Sequence, residues 1–133
     1  MAKRSVVALI EYQGKILLGK KTPNSESLLA GEWTIPGEKL NDRESDEQGL
    51  YRLVEEETGL KRQHVKILNY LGKSLSPTSK HPVRWYRLQS FNDHVSANDD
   101  LIEVKWVPKN LVRTVIGRRY SDYPDSVRDY MRS

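Results

Sequence analysis

Residues 45–59 carry both end signals of an α-helix, and one marked helix among β-branched runs limits the architectures open to this chain. Ser45 suits an N-cap, with Gln48 at capping-box spacing and Asp46 and Glu47 at the positive end of the helix dipole. Leu50, Leu53 and Val54 recur at helical spacing and Gly59 supplies a stop, so a helix is expected over residues 46–58. Apolar, β-branched stretches at residues 5–12, 15–19, 65–71, 83–91 and 101–107 read as strands, the first two joined at the turn signal Gln13-Gly14. A short strand is expected at Trp33-Thr34-Ile35, ended by Pro36-Gly37, and residues 109–116 and 124–132 carry helical patterning. Strands flanking a helix, with helical pieces at the end, imply an α/β sandwich on a mixed sheet.

The 133 residues are one domain's worth of chain, and no repeat or linker divides them. Three Trp, seven Tyr and the aliphatic runs supply one core, which excludes global disorder. With no cysteine, the chain has no disulfide framework, thiolate metal site or Cys nucleophile, and it suits a reducing cytoplasm. The apolar run near the N-terminus is too short for a signal segment or a membrane span. Net charge is +4, unevenly placed. Residues 37–57 hold eight carboxylates against Lys39, Arg43 and Arg52, a local −5 that leaves +9 elsewhere. Such a pattern suits carboxylates that hold a divalent cation within a body that attracts a polyanion, and it also suits a solvated helix face.

Glu55, Glu56 and Glu57 occupy the last turn of the expected helix, where the dipole already presents its negative end. Each such charge costs about 0.3–1 kcal/mol there. Arg52 can relieve Glu56 as an i,i+4 partner, worth about 0.2–0.5 kcal/mol. Lys61 and Arg62 beyond the helix offer one way to neutralise the rest, and bound magnesium another, since hard cations prefer carboxylate oxygens. Glu57 lies one turn after Leu53, so it is expected to point toward the sheet and Glu55 toward solvent.

Residues 38–60, EKLNDRESDEQGLYRLVEEETGL, resemble without a gap the box of the Nudix hydrolases, G-x5-E-x7-R-E-U-x-E-E-x-G-U, with U a bulky aliphatic. Glu44, Arg52, Val54, Glu56, Glu57, Gly59 and Leu60 match it, while Glu38 stands in place of Gly and Leu53 in place of Glu. The resemblance implies a mixed-sheet α/β/α sandwich and magnesium-dependent (or manganese-dependent) hydrolysis of a nucleoside diphosphate linked to another group. A small MutT-like member points first to a (deoxy)nucleoside triphosphate. It implies Glu56, Glu57 and the Gly37 carbonyl as metal ligands, with Arg52 and Glu44 orienting them. The base, with Leu53 unable to serve, is then Glu57, Asp99, Asp100 or Glu103, and the family's late-strand carboxylate favours Glu103. Two readings of the paired departures stand: Glu38 replaces the carboxylate lost at Leu53, or Glu38 is exposed and Leu53 extends the core. Leu53 also resembles the GDP-mannose mannosyl hydrolase branch, which cleaves at the sugar carbon, although residues 98–103 lack that branch's His. Loss of the Glu leaves open a degenerate domain that binds nucleotide or RNA without turnover.

Among the remaining candidates, Lys21 and Arg84 are expected to meet phosphates and Trp33 to stack on a base, with core packing the competing role for the aromatics. Loops 22–32 and 75–81 are expected to carry substrate choice. The basic excess suits an RNA 5′ end as well as a free nucleotide, though no RNA-binding motif is present. His64, His81 and His94 show no metal spacing and are expected at the surface or at strand edges.

Overall fold

The computed structural model describes residues 2–25 and 28–133. Glu26 and Ser27, within the 22–32 loop, lie outside the described residues. Strands β1 (Ser5–Tyr12) and β2 (Lys15–Lys21) form the expected hairpin. Gln13 and Gly14 both take positive φ, 49° and 78°, as a two-residue turn matched to strand twist requires. Then follow β3 (Trp33–Thr34), β4 (Gly37–Lys39), α1 (Asp46–Thr58), β5 (Val65–Leu75), β6 (Pro82–Ser90), β7 (Leu101–Pro108), α2 (Val112–Ile116) and α3 (Asp125–Arg132). Short 3-10 turns cover Arg62–His64, Lys109–Leu111 and Gly117–Asp122.

The seven strands of the described residues form one mixed sheet. β1 runs parallel to β6, with Val7 opposite Trp85, while the other pairings are antiparallel. The β1–β2 hairpin pairs beside its turn, Glu11 opposite Ile16. Farther along, β1 pairs with β4 (Val6 opposite Glu38), whereas β2 pairs with β7 (Leu17 opposite Trp106) and β3 (Lys20 opposite Trp33). β1 is buried on both faces, so its sequence is a continuous apolar run and not an alternation. Val6, Ala8 and Ile10 join Leu50, Leu53 and Val54 of α1 in one core layer, and Val7 and Leu9 join Val112, Ile116, Tyr120, Val127 and Met131 in the other. The result is the expected α/β sandwich on a mixed sheet.

Helix α1 has the expected ends. Ser45 accepts from the Gln48 amide and Gln48 returns the bond, while Gly59 caps the other end in the left-handed region at φ 78°. Gly49 permits the loop before α1 to close on it, since a Cβ there would come 2.1 Å from Leu40 Cδ2. Several expectations are corrected. β4 was not expected, β5 runs to Leu75, and only Val112–Ile116 of the 109–116 segment is α-helical, after a 3-10 turn. β4 is three residues long and shows no periodicity of its own; pairing with β1 makes it a strand. Among the described residues, no helix is long and apolar enough to cross a membrane.

Candidate active site

Helix α1 packs against β1 and its neighbour β4. Glu57 is 2% exposed, and its Oε2 has no hydrogen-bond partner among the described residues. Burial pushes its carboxyl up to about 8, with Lys21 opposing and Glu38, Asp100 and Asp99 adding to the rise. Glu55 is exposed and pairs with Lys61 at 3.5 Å, whereas Arg62 reaches Glu47, so the lysine and arginine beyond the helix leave Glu57 unrelieved. The opposite orientations of Glu55 and Glu57 agree with the helix geometry.

Arg52 organises the rest. Its Nε and Nη2 donate to Glu44 Oε2 and Oε1 at 2.7 and 2.9 Å, Nη1 donates to Glu56 at 3.2 Å, and Nη2 also donates to the Lys39 carbonyl at 3.0 Å. Glu44 accepts further from the Asn41 amide at 2.9 Å, and the Arg52 hydrogen bonds hold its carboxyl below the usual range. One guanidinium thus ties α1 to both the preceding loop and β4. Burial raises the Glu38 carboxyl, against the pull of Arg52 at 3.9 Å and with Asp99, Glu56 and Asp100 adding to the rise.

A loop before β7 completes the cluster. The Ser96 and Asn98 amides donate to the Thr58 and Glu57 carbonyls at 3.0 and 3.1 Å, satisfying carbonyls that the helix end leaves free. This docking brings Asp99 and Asp100 beside Glu57. Carboxylate oxygens of Glu38, Glu56 and Asp99 lie within 4.8 Å of one another. Lys21 holds Asp100 at 2.9 Å. A cavity of about 650 Å³ is lined by Lys21, Trp33, Gly37, Glu38, Glu57, Asp99 and Asp100 and extends to Ser76, His81, Trp85 and Tyr123. The donor set is all carboxylate and carbonyl oxygen, which fits magnesium or manganese.

Two expected site residues lie elsewhere. Arg84 makes two 2.6 Å bonds to Asp46 at the start of α1, where Tyr86 also donates at 2.5 Å, and it is absent from the cavity lining. Glu103 of β7 stands opposite Lys20 of β2, exposed and on the sheet face opposite α1, because residues 103, 105 and 107 alternate away from Val104 and Trp106. The loop aspartates, not the late-strand glutamate, therefore approach Glu57. Trp33 lines the cavity with Lys105 Nζ 4.4 Å from its ring centre.

His81, expected at the surface or at a strand edge, stands immediately before β6 and is buried. Its Nε2 lies 2.7 Å from Ser5 Oγ, and its Nδ1 lies 2.7 and 3.2 Å from Ser79 and Ser76 Oγ. The spacing of Ser76, Ser79 and His81 is the sequence signal for this polar knot, which fixes the turn between β5 and β6 at the cavity wall.

The NUDIX domain model matches residues 1–129. An RNA pyrophosphohydrolase of Pasteurella multocida is 30% identical over 106 residues, covering 69% of this chain and 50% of that protein. A CTP pyrophosphohydrolase of Escherichia coli is 42% identical over 55 residues, covering 41% and 39%. The chain spans half or less of the length of the curated relatives it matches. The crystal structure of a MutT protein from Methanosarcina mazei superposes with a TM-score of 0.72 at 27% identity, covering 97% of this chain and 89% of that one. With the family model spanning nearly the whole chain and its box folded around this carboxylate cluster, the chain belongs to the Nudix hydrolase family.

Proposed function

We propose that the chain is a magnesium-dependent pyrophosphohydrolase that splits a nucleoside diphosphate linked to another group, with a (deoxy)nucleoside triphosphate as its first substrate. The observation that carries this reading is Glu57, a buried carboxylate with an unpartnered oxygen at the wall of a cavity large enough for a nucleotide. Glu56, Glu57 and the Gly37 carbonyl are the residues that would hold magnesium or manganese. The ion, when bound, polarises phosphoryl oxygens and acidifies a water.

Arg52 keeps Glu56 in place, and Glu44 keeps Arg52 in place. Among the described carboxylates of the cavity, Glu57 keeps a buried oxygen free of donors, and it is assigned as acceptor of the attacking water's proton. Lys21 supplies positive charge toward the phosphates while holding Asp100, and Trp33 offers an aromatic edge at the cavity wall.

A second reading, in which the triphosphate belongs to an RNA 5′ end, is favoured by the likeness to the P. multocida protein and by the +9 charge outside residues 37–57. Both readings are tested by mass spectrometry of products formed in isotopically labelled water with magnesium, over nucleoside triphosphates, dinucleoside polyphosphates, nucleotide sugars and triphosphorylated RNA. Label on a phosphate product supports the proposal and identifies the substrate. Label on a free sugar replaces it with glycosyl hydrolysis, and binding without product replaces it with a non-catalytic nucleotide-binding domain.

A further inference from the structure

Leu53 and Glu38 depart from the family box together, and the fold brings their positions to one place. Leu53 is fully buried in the core layer that contains Val6, Leu50 and Val54. It lies one turn before Glu57 on the same helix face, so a carboxylate at position 53 would have entered the space between α1 and the sheet. Glu38 enters that space from the other side. It stands opposite Val6 in the β1–β4 ladder, and directly opposed residues of antiparallel strands project from the same face. Val6 belongs to the layer under α1, which puts Glu38 on the helix-facing side of the sheet.

The oxygens of Glu38, Glu56 and Asp99 lie within 4.8 Å of one another, a spread that one oxygen-coordinated divalent cation spans with bonds of about 2.0–2.6 Å. Among the described residues, one cation, Arg52, is shared between this group and Glu44. Arg52 stands 3.9 Å from Glu38 and 3.2 Å from Glu56, but it also makes two shorter bonds to Glu44. Beside these three lies the second observation that calls for a cation, the buried and unpartnered Oε2 of Glu57. Glu38, Glu57 and Asp99 line one cavity, so a cation arriving with a phosphate ligand meets them together.

We propose that Glu38 supplies from β4 the carboxylate that Leu53 removes from α1, so that a divalent cation is held between strand, helix and loop by Glu38, Glu56 and Asp99. The inference rests on the metal-dependent reading above and deepens it by adding Glu38 of β4 and Asp99 of the loop to the carboxylates that meet the cation. The exchange places a carboxylate on β4 while giving the α1 core an additional leucine.

The test is titration of the full chain with manganese alone, followed by electron paramagnetic resonance, for the parent, Glu38→Gln, Glu57→Gln and the double variant Glu38→Gly with Leu53→Glu. The carboxamide preserves the shape of Glu38, and circular dichroism checks that every variant is folded. Glu38→Gln is expected to weaken manganese binding about tenfold or more, and the double variant, if folded, to recover most of it. Unchanged binding in Glu38→Gln alongside loss in Glu57→Gln overturns this inference and leaves the proposed function standing. A parent chain that binds no manganese overturns both.

Discussion

The backbone amide of Asn98 donates to the carbonyl of Glu57 at 3.1 Å, so the loop that carries Asp99 is tied to the residue its carboxylate accompanies. The Ser96 bond to Thr58 is the second tie, Val95 packs against the α1 core layer, and Gly59 leaves room for the loop, since a Cβ there would come 2.9 Å from Ser96 Oγ. A helix end that would otherwise present free carbonyls to solvent becomes the anchor of the site's last element. The negative end of the α1 dipole thus lies among acids that no described cation fully offsets. This arrangement opposes folding and favours cation binding.

Asp99 holds φ at 58°, a conformation that favours glycine. Asp99→Gly is therefore expected to leave unfolding free energy unchanged or raise it by up to about 1 kcal/mol while lowering manganese affinity. Urea denaturation and metal titration of the same sample check both halves. A loss of stability with unaltered metal binding would show Asp99 to be a loop residue only.

Glu57 makes metal-free stability depend on pH. Its carboxyl is raised from 4.5 to about 8 by burial, so the folded state binds more protons than the unfolded chain across that interval. Stability then falls as pH rises, by about 2 kcal/mol between about pH 6.5 and about pH 8. Burial lowers His81, whose contribution is complete above its unfolded value of 6.5 and is lost only on acidification. Thermal melts with chelator over this window are expected to decline for the parent and to stay level for Glu57→Gln, which should also be catalytically inactive.

Arg52 offers a contrast between charge and shape. Lysine keeps the charge but cannot reproduce the two parallel bonds to Glu44 and the reach to Glu56 and the Lys39 carbonyl. Arg52→Lys is expected to cost about 1–3 kcal/mol in urea unfolding and to lower kcat, because Glu56 loses its positioning partner. Equal kcat in a folded variant would remove Arg52 from the site.

Arg84→Ala separates structure from substrate binding. Its bonds to Asp46 staple β6 to the first turn of α1, and the ion pair holds the Asp46 carboxyl below its usual range. The variant is expected to lower stability by about 1–2 kcal/mol with KM unchanged. A rise in KM without a change in stability would return Arg84 to the phosphate-binding role its sequence position suggests.

Local signals were legible wherever their cause is local. Ser45, Gln48 and Gly59 cap α1 through bonds to residues three or four positions away, and the stripe of Leu50, Leu53 and Val54 follows from helical spacing, so α1 was readable to its ends. The hairpin turn at Gln13-Gly14 and the inward Glu57 with outward Glu55 were readable for the same reason. The bond of Arg84 to Asp46 was not legible, because the two residues are 38 positions apart. Nor was the face of Glu103, since alternation specifies two faces without saying which one meets α1. Strand β4 and the buried His81 depend on β1, with which Gly37–Lys39 pairs and whose Ser5 bonds the imidazole.

The helix, the strand-forming runs, the family box and the excess of carboxylates are thus properties of the chain's order of residues, because propensity, capping and spacing act between near neighbours. Which acids meet was left to packing. Asp99 reaches Glu57 because loop amides satisfy the α1 carbonyls, and Glu38 faces Leu53's layer because β4 pairs in register with β1. Those contacts join residues far apart in the chain, and their geometry exists only once the sheet and helix have packed.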